Sequence, residues 1–310
     1  MTPARRVSVV IATFNRAALL PDTVRAIAQQ SQPPAEIIVV DDGSTDDTRR
    51  VVAGLGLPLR YERIANQGPQ RARAHGIGLA TGDLVAVVDD DDLWLPDKLR
   101  SQCAELERSG CRWVYGDAVA FDHETGRDLY RFSDVSRQFS GTVLRQLLMV
   151  NFIPSPTVII ERDLLHEIMQ RPDKPDVRYG EDWMTWLLAA AQSPVAQVTQ
   201  IVARYRVHAA GAASRTAIHQ RLADSERVLD YCRTVLPAPL HGDIARSRGF
   251  ARCKAALALW SEHRPVAALR QGVAALVRRP ALVVELPLES AQMGWGMMRS
   301  KRRNLRRTAP

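Results

Sequence analysis

The chain has 310 residues, 46% hydrophobic and 25% charged, an ordinary globular composition that excludes a wholly disordered protein. No apolar stretch reaches the roughly 18–20 uncharged residues that a membrane-spanning helix needs, and the chain runs from Met1 straight into a strand-like segment without a leader pattern, so a cytoplasmic protein is expected. The net charge of +8 is unevenly placed: from His241 onward 14 Lys+Arg face 4 Asp+Glu, and the rest of the chain is close to neutral. Bulk charge therefore does not point to nucleic acid, and no specific nucleic-acid partner is expected. Cys103, Cys111, Cys232 and Cys253 form no metal-binding or disulfide spacing and read as reduced packing residues.

The first ninety residues alternate short β-branched runs (7–11, 36–40, 84–88) with helical patterns (17–29, 46–53, 69–80), the mark of a βαβαβ unit. The apolar runs are continuous, as parallel strands buried on both faces require, and each ends in polar residues that a parallel sheet gathers at its carboxyl edge. Ser44, three residues before Asp47, predicts a helix N-terminus there. Further on, the pattern predicts a helix over 97–107, a strand over 113–115, a turn over 124–127, and helices over 141–148 and 181–191. From about Ala217 the chain turns helical, with 248–262 and 266–277 forming a hairpin around His263, Arg264 and Pro265. Its spacing is similar to one unit of a tetratricopeptide-like repeat, but without a second copy a plain helical bundle is the favoured reading.

Three strand ends carry the chemistry. The segment Thr13-Phe14-Asn15-Arg16 can hold a base or phosphate, or merely cap a helix. The segment Asp41-Asp42-Gly43-Ser44-Thr45-Asp46 offers acceptor-only carboxylates for a base edge or ribose hydroxyls, or a local turn. The run Asp89-Asp90-Asp91-Asp92, at the end of a buried strand, concentrates charge that a hard divalent cation would relieve. All-oxygen ligands of this kind suit Mg²⁺ or Mn²⁺ rather than zinc, and a solvated acidic loop is the alternative. If the strand stays extended, Asp89 and Asp91 face one side and Asp90 the other.

These segments, together with Asn66-Gln67-Gly68, Ala72-Arg73, Ala80-Thr81-Gly82-Asp83 and Leu93-Trp94-Leu95-Pro96, resemble the successive motifs of family 2 glycosyltransferases. Gly180-Glu181-Asp182-Trp183 and Arg204-Tyr205-Arg206-Val207-His208 extend the resemblance to about Ser214. It implies an α/β GT-A-type fold: a mostly parallel sheet flanked by helices, with a Rossmann-like nucleotide-binding half, a mixed acceptor half and an α-helical C-terminal extension. The implied division is a glycosyltransferase domain over 1–215 and a helical region with a basic tail over 216–310.

The resemblance also implies an inverting, metal-assisted transfer of sugar from a nucleoside diphosphate sugar, expected to be a UDP-sugar, to a glycan or lipid-linked acceptor in cell-surface polysaccharide or glycoconjugate synthesis. Asp182 would be the catalytic base with Glu181 supporting it. Thr13, Asn15, Arg16, Asp42, Arg73, Asp89 and Asp90 would bind the nucleotide, and Asp91, joined by His208, would hold Mg²⁺ or Mn²⁺. Asp90 stands where the family usually has a small residue. A non-catalytic nucleotide-sugar-binding protein of the same fold and a nucleotidyltransferase are the alternatives. The tail, with Trp295 and the cations from Arg299 to Arg307, reads either as a solvated basic end or as a weak peripheral contact with an anionic membrane on its inner face.

Overall fold

The computed structural model describes residues 5–208 and 216–278. The basic tail expected to touch membranes lies outside the described residues. The chain opens with β1 (Val7–Thr13), α1 (Leu20–Ala28), β2 (Glu36–Asp41), α2 (Thr48–Ala53), β3 (Arg60–Arg63), α3 (Pro69–Leu79) and β4 (Leu84–Asp89). It continues with β5 (Leu93–Trp94), α4 (Lys98–Ser109), β6 (Trp113–Asp122), β7 (Asp128–Arg131), α5 (Phe132–Val135) and α6 (Leu144–Met149). Then follow β8 (Ile159–Glu161), α7 (Arg162–Met169), α8 (Glu181–Ala190) and β9 (Val195–Val207). The helices α9 (Ile218–Val235), α10 (His241–Ser261) and α11 (Pro265–Arg278) complete it.

One sheet runs through the molecule in the order β3-β2-β1-β4-β8-β6-β9-β5, with β7 paired to β6. The four strands β3, β2, β1 and β4 are parallel, whereas β8 is antiparallel to both of its neighbours. A parallel half and a mixed second half thus share one sheet, as expected. The period-2 geometry of strands splits the apolar runs between two faces. Val9, Ile11, Ile37, Val39, Ala86 and Val88 pack on the α1, α2 and α4 side. Val10, Ile38, Val40 and Val85 face the other side with α3, α7 and α8. Each such aliphatic side chain contributes about 1.5–3 kcal/mol when fully buried, which is why these runs are continuous rather than alternating. Helix α3 lies especially close: a Cβ on Gly76 would sit 2.5 Å from Val10 Cγ1 and 3.0 Å from Val40 Cγ2.

Several boundaries differ from the sequence pattern for local reasons. Helix α2 starts at Thr48 rather than at residue 46, because Asp46 accepts hydrogen bonds from the N–H and hydroxyl of Thr48 and from the N–H of Ala17. Ser44 does not cap that helix; its Oγ accepts the N–H of Asn15 at 2.9 Å. Helix α6 starts at Leu144, since Gly141, at φ +81°, pairs with Val195 instead. The strand expected over 113–115 continues to Asp122 because β9 pairs along its whole length. Val228, Leu229 and Cys232 of α9 and Ile244 of α10 belong to the same core as Trp183 and Trp186 of α8, so these helices pack into the sheet-bearing body. The four cysteines are free.

Candidate active site

The carboxyl ends of β1, β2 and β4 converge, and the loops leaving them are tied to one another. Asn15, at φ +53°, receives the N–H of Thr45 at 2.8 Å on its Oδ1, which locks the loop after β1 to the loop after β2. Asp42 is 2% exposed and accepts the backbone N–H groups of Gln67 and Gly68 at 2.8 Å each. That carboxylate anchors the entry to α3 instead of facing an open edge; Gly68 is at φ +93°, where a side chain would strain the turn. Asp41 is buried, accepts the N–H of Ser44 at 2.7 Å and is bonded to the Tyr61 hydroxyl. Arg16 lies with Nε 3.7 Å from Asp90 Oδ1. Thr13 Oγ1 is buried with no hydrogen-bond partner among the described residues.

The four aspartates diverge. Strand β4 ends at Asp89, and the N–H of Asp92 turns back to the Asp89 carbonyl, so the two-sided alternation expected of an extended strand does not hold. Asp89 reaches Arg73, Asp90 approaches Arg16, Asp91 meets His208 with Oδ2 2.8 Å from Nε2, and Asp92 accepts the N–H of Arg206 at 2.9 Å. Burial, reinforced by Asp91, pushes Asp90 up to about 7. Burial and then Asp89 raise Asp91, with His208 opposing. Asp92 is fully buried and raised for the same kind of reason, and its Oδ2 has no partner among the described residues.

Crowded, under-satisfied carboxylates of this kind fit a divalent cation. Among the described residues no three His, Cys, Asp or Glu side chains form a closed cage. Asp91 would offer a carboxylate oxygen with His208 beside it, and a Mg²⁺ ion commonly uses only one or two protein carboxylates when phosphate oxygens and water complete its shell.

Arg73 joins the two halves of the site. It donates from Nη2 to Asp89 Oδ1 at 2.5 Å and from Nη1 to Glu181 Oε2 at 2.6 Å. Burial opposes its charge, but Asp89 and then Glu181 more than offset this and hold the guanidinium above its ordinary value. Arg73 is thus committed to two carboxylates, between the end of β4 and the start of α8. Glu181 and Asp182 form the first turn of α8, after Gly180. Asp182 accepts the N–H of Trp183 at 2.7 Å and the amide of Asn151 at 3.1 Å, and burial raises its pKa above the ordinary value. A carboxylate so raised is better matched to removing a proton near neutral pH. Asp89, Asp182 and His208 line one cavity of about 740 Å³ that continues toward α9 and α10.

Of the residues singled out from sequence, Asp89, Asp91, Asp182, Glu181, Arg73 and His208 come together. Asn15 and Asp42 are spent on holding loops. Arg206 and Asn151 were missed. Arg206, 8% exposed, also donates from Nε to the Asp91 carbonyl at 2.7 Å, and its place two residues before His208 on a strand was the available signal. Asn151 follows a short helix and carries no pattern.

The model of glycosyl transferase family 2 matches residues 8–168. An uncharacterized glycosyltransferase of Rickettsia felis is 28% identical over 204 residues, covering 65% of this chain and 33% of that protein, so the chain spans about a third of that relative's length. The putative teichuronic acid biosynthesis glycosyltransferase TuaG of Bacillus subtilis is 28% identical over 213 residues, 65% of this chain and 79% of that one. Among solved structures, S. aureus TarS 1–349 in complex with UDP-GlcNAc has a TM-score of 0.59 at 16% identity, covering 90% of this chain and 92% of that one. The mannosyltransferase PcManGT of Pyrobaculum calidifontis, in complex with GDP-Man and Mn²⁺, has a TM-score of 0.62 at 19% identity, covering 99% and 89%. These likenesses bear out the GT-A-type fold, and with the matched half of the sequence the chain belongs to glycosyl transferase family 2.

Proposed function

We propose that this chain transfers one sugar from a nucleoside diphosphate sugar, a UDP-sugar in the first instance, to an acceptor hydroxyl with inversion, in the synthesis of a cell-surface polysaccharide or glycoconjugate. The observation that carries the reading is the single cavity bounded by His208, the partner of Asp91, and by Asp182. In this reading the acceptor hydroxyl attacks the anomeric carbon opposite the diphosphate, the new C–O bond forms as the bond to the diphosphate breaks, and Asp182 takes the hydroxyl proton. Asn151 and the N–H of Trp183 hold the Asp182 carboxylate in place, and Arg73 fixes Glu181 beside it. Asp91 and His208 would hold Mg²⁺ or Mn²⁺, which when bound neutralises charge on the departing diphosphate. The nucleotide would lie over the ends of β1 and β2, near Thr13 and Arg16, with Asn15 and Asp42 shaping its loops.

TuaG, by its name, acts in teichuronic acid synthesis, and TarS and PcManGT hold nucleotide sugars; these support the substrate class. Among the described residues no helix is long and apolar enough to cross a membrane. Peripheral contact with an anionic membrane belongs to the proposal: Leu257, Trp260, Val266, Leu269 and Val273 on α10 and α11 are exposed apolar side chains close to the basic end of the sequence.

Asp182→Asn tests the assignment. Nucleotide binding should persist while turnover with donor and acceptor falls by about 10²–10⁴, the range of a lost general base. Turnover close to that of the unaltered chain would remove Asp182 from this role.

A further inference from the structure

The turn that leads into Asp182 is clamped between two helices. Residues 177–180 run directly into the first turn of α8, where Glu181 and Asp182 stand, and Gly180 makes the junction at φ +81°. On one side α3 holds this turn: Gln70 donates its side-chain amide to the Val177 carbonyl, and Arg73 of the same helix donates to Glu181. On the other side stands α9, which lies beyond the residues 8–168 that the family model matches.

Asp224 of α9 is fully buried, and its Oδ2 accepts the backbone N–H groups of both Arg178 and Tyr179 at 3.2 Å. Its Oδ1 accepts the side-chain amide of Gln220 at 2.9 Å and lies 3.7 Å from Arg227 Nη1. Arg221 adds a further contact from α9, its guanidinium carbon 5.5 Å from the centre of the Tyr179 ring. A carboxylate is costly to bury unless hydrogen bonds answer its charge, and here one oxygen is given wholly to the main chain of this turn. Such charge-assisted bonds fix where the chain runs and which way its N–H groups point. Asp224 is not among the residues that line the cavity, so its effect on the site passes through the turn.

We propose that Asp224 is a positioning residue for the transfer reaction: it fixes the turn over 177–180 and through it the Asp182 carboxylate, which makes helix α9 a working part of the active site. The inference rests on the reading of Asp182 as the group that takes the acceptor's proton. Asp182 follows Tyr179 by three residues, and a misplacement of about 1 Å can cost about 10²-fold in rate.

The test uses the full chain with Mn²⁺ and the UDP-sugar it cleaves fastest, water serving as acceptor. Asp224→Ala should lower kcat for donor cleavage by about 10–100-fold. KM for the donor should stay within about threefold, because Asp91 and His208 are tied to β9 rather than to this turn. Asp224→Asn can turn its carbonyl oxygen to Arg178 and Tyr179 and its amide to the Gln220 oxygen, so kcat should return to within about threefold of the unaltered chain. In hydrogen exchange, the amides of 177–183 should open at least about tenfold faster in Asp224→Ala, while those of β1 stay unchanged. Asp224→Glu keeps the charge but displaces the oxygen by one methylene; it should also lower kcat at constant KM, and it carries the test if the alanine variant does not fold. Full kcat in the alanine or glutamate variant, a loss expressed in KM, an asparagine variant as impaired as alanine, or exchange that rises equally in β1 would overturn the proposal. Failure of the unaltered chain to cleave any nucleotide sugar refutes the transferase reading and this inference with it; cleavage at full rate by Asp224→Ala refutes this inference alone.

Discussion

Arg73→Gln removes the cation that Asp89 and Glu181 share, and the structure sets the size of the effect. The Glu181 side chain is 12% exposed and its bond from Arg73 is 2.6 Å long, a geometry in which a charge-assisted hydrogen bond contributes about 1.5–3 kcal/mol. The Asp89 side chain is 37% exposed, so solvent screening reduces that contact to about 0.5–1 kcal/mol despite its 2.5 Å length. Together the substitution should cost about 2–4 kcal/mol, and at about 2–4 °C per kcal/mol the melting temperature should fall by about 4–16 °C. Glu181, already raised by burial and relieved chiefly by Arg73, would then be a buried carboxylate with its main counter-charge gone. Adding Glu181→Gln to Arg73→Gln should therefore recover part of the loss, although Glu181→Gln alone destabilises. Thermal unfolding of the two single variants and the double variant, followed by circular dichroism, gives the coupling directly. Strict additivity, with a coupling below about 0.5 kcal/mol, would refute the Arg73–Glu181 contact as a connection between α3 and α8.

Asp91→Ala should abolish metal-dependent nucleotide binding, because a diphosphate would then face Asp89, Asp90 and Asp92 without an ion held between them; calorimetry with a nucleoside diphosphate, with and without Mn²⁺, reads this, and unchanged metal dependence would contradict it. Gly76→Ala forces a methyl against the stiff side chains of Val10 and Val40 and should cost about 1–3 kcal/mol in denaturant unfolding. Lys98 is 1% exposed and burial pushes it down to about 7 from 10.5, so between these values the unfolded chain binds the extra proton and stability should rise with pH. Lys98→Met should remove that part of the slope, and parallel stability–pH curves for the two proteins would show that Lys98 is not so perturbed.

Much of the parallel half was legible because its strands are buried on both faces: Val7, Val9 and Ile11 serve one side of the sheet and Val10 the other, which leaves an apolar run broken only by Ser8. Strand β3, Arg-Tyr-Glu-Arg at the sheet edge, carries no such signature and passed unnoticed, as did the three-residue β8 and the helix α7 that follows it. The residues of the site were visible as motifs, but their division of labour was not. The sequence shows that Asn15 and Asp42 sit at strand ends; only the fold reveals that their oxygens are consumed by the amides of Thr45, Gln67 and Gly68. Likewise the alternation expected for Asp89 to Asp92 assumed extended backbone, and a turn replaces it once β4 ends. The Arg73 bridge spans 108 residues to Glu181, a separation that no local pattern encodes.

The most direct test of the account is to incubate the full chain with a panel of nucleoside diphosphate sugars and Mn²⁺ and to measure diphosphate release, comparing the unaltered protein with Asp91→Ala. The account predicts slow, metal-dependent cleavage of a restricted set of donors, with UDP-sugars among them, and its loss in the variant. No binding or cleavage of any nucleotide sugar, or cleavage that is the same in Asp91→Ala, would contradict it.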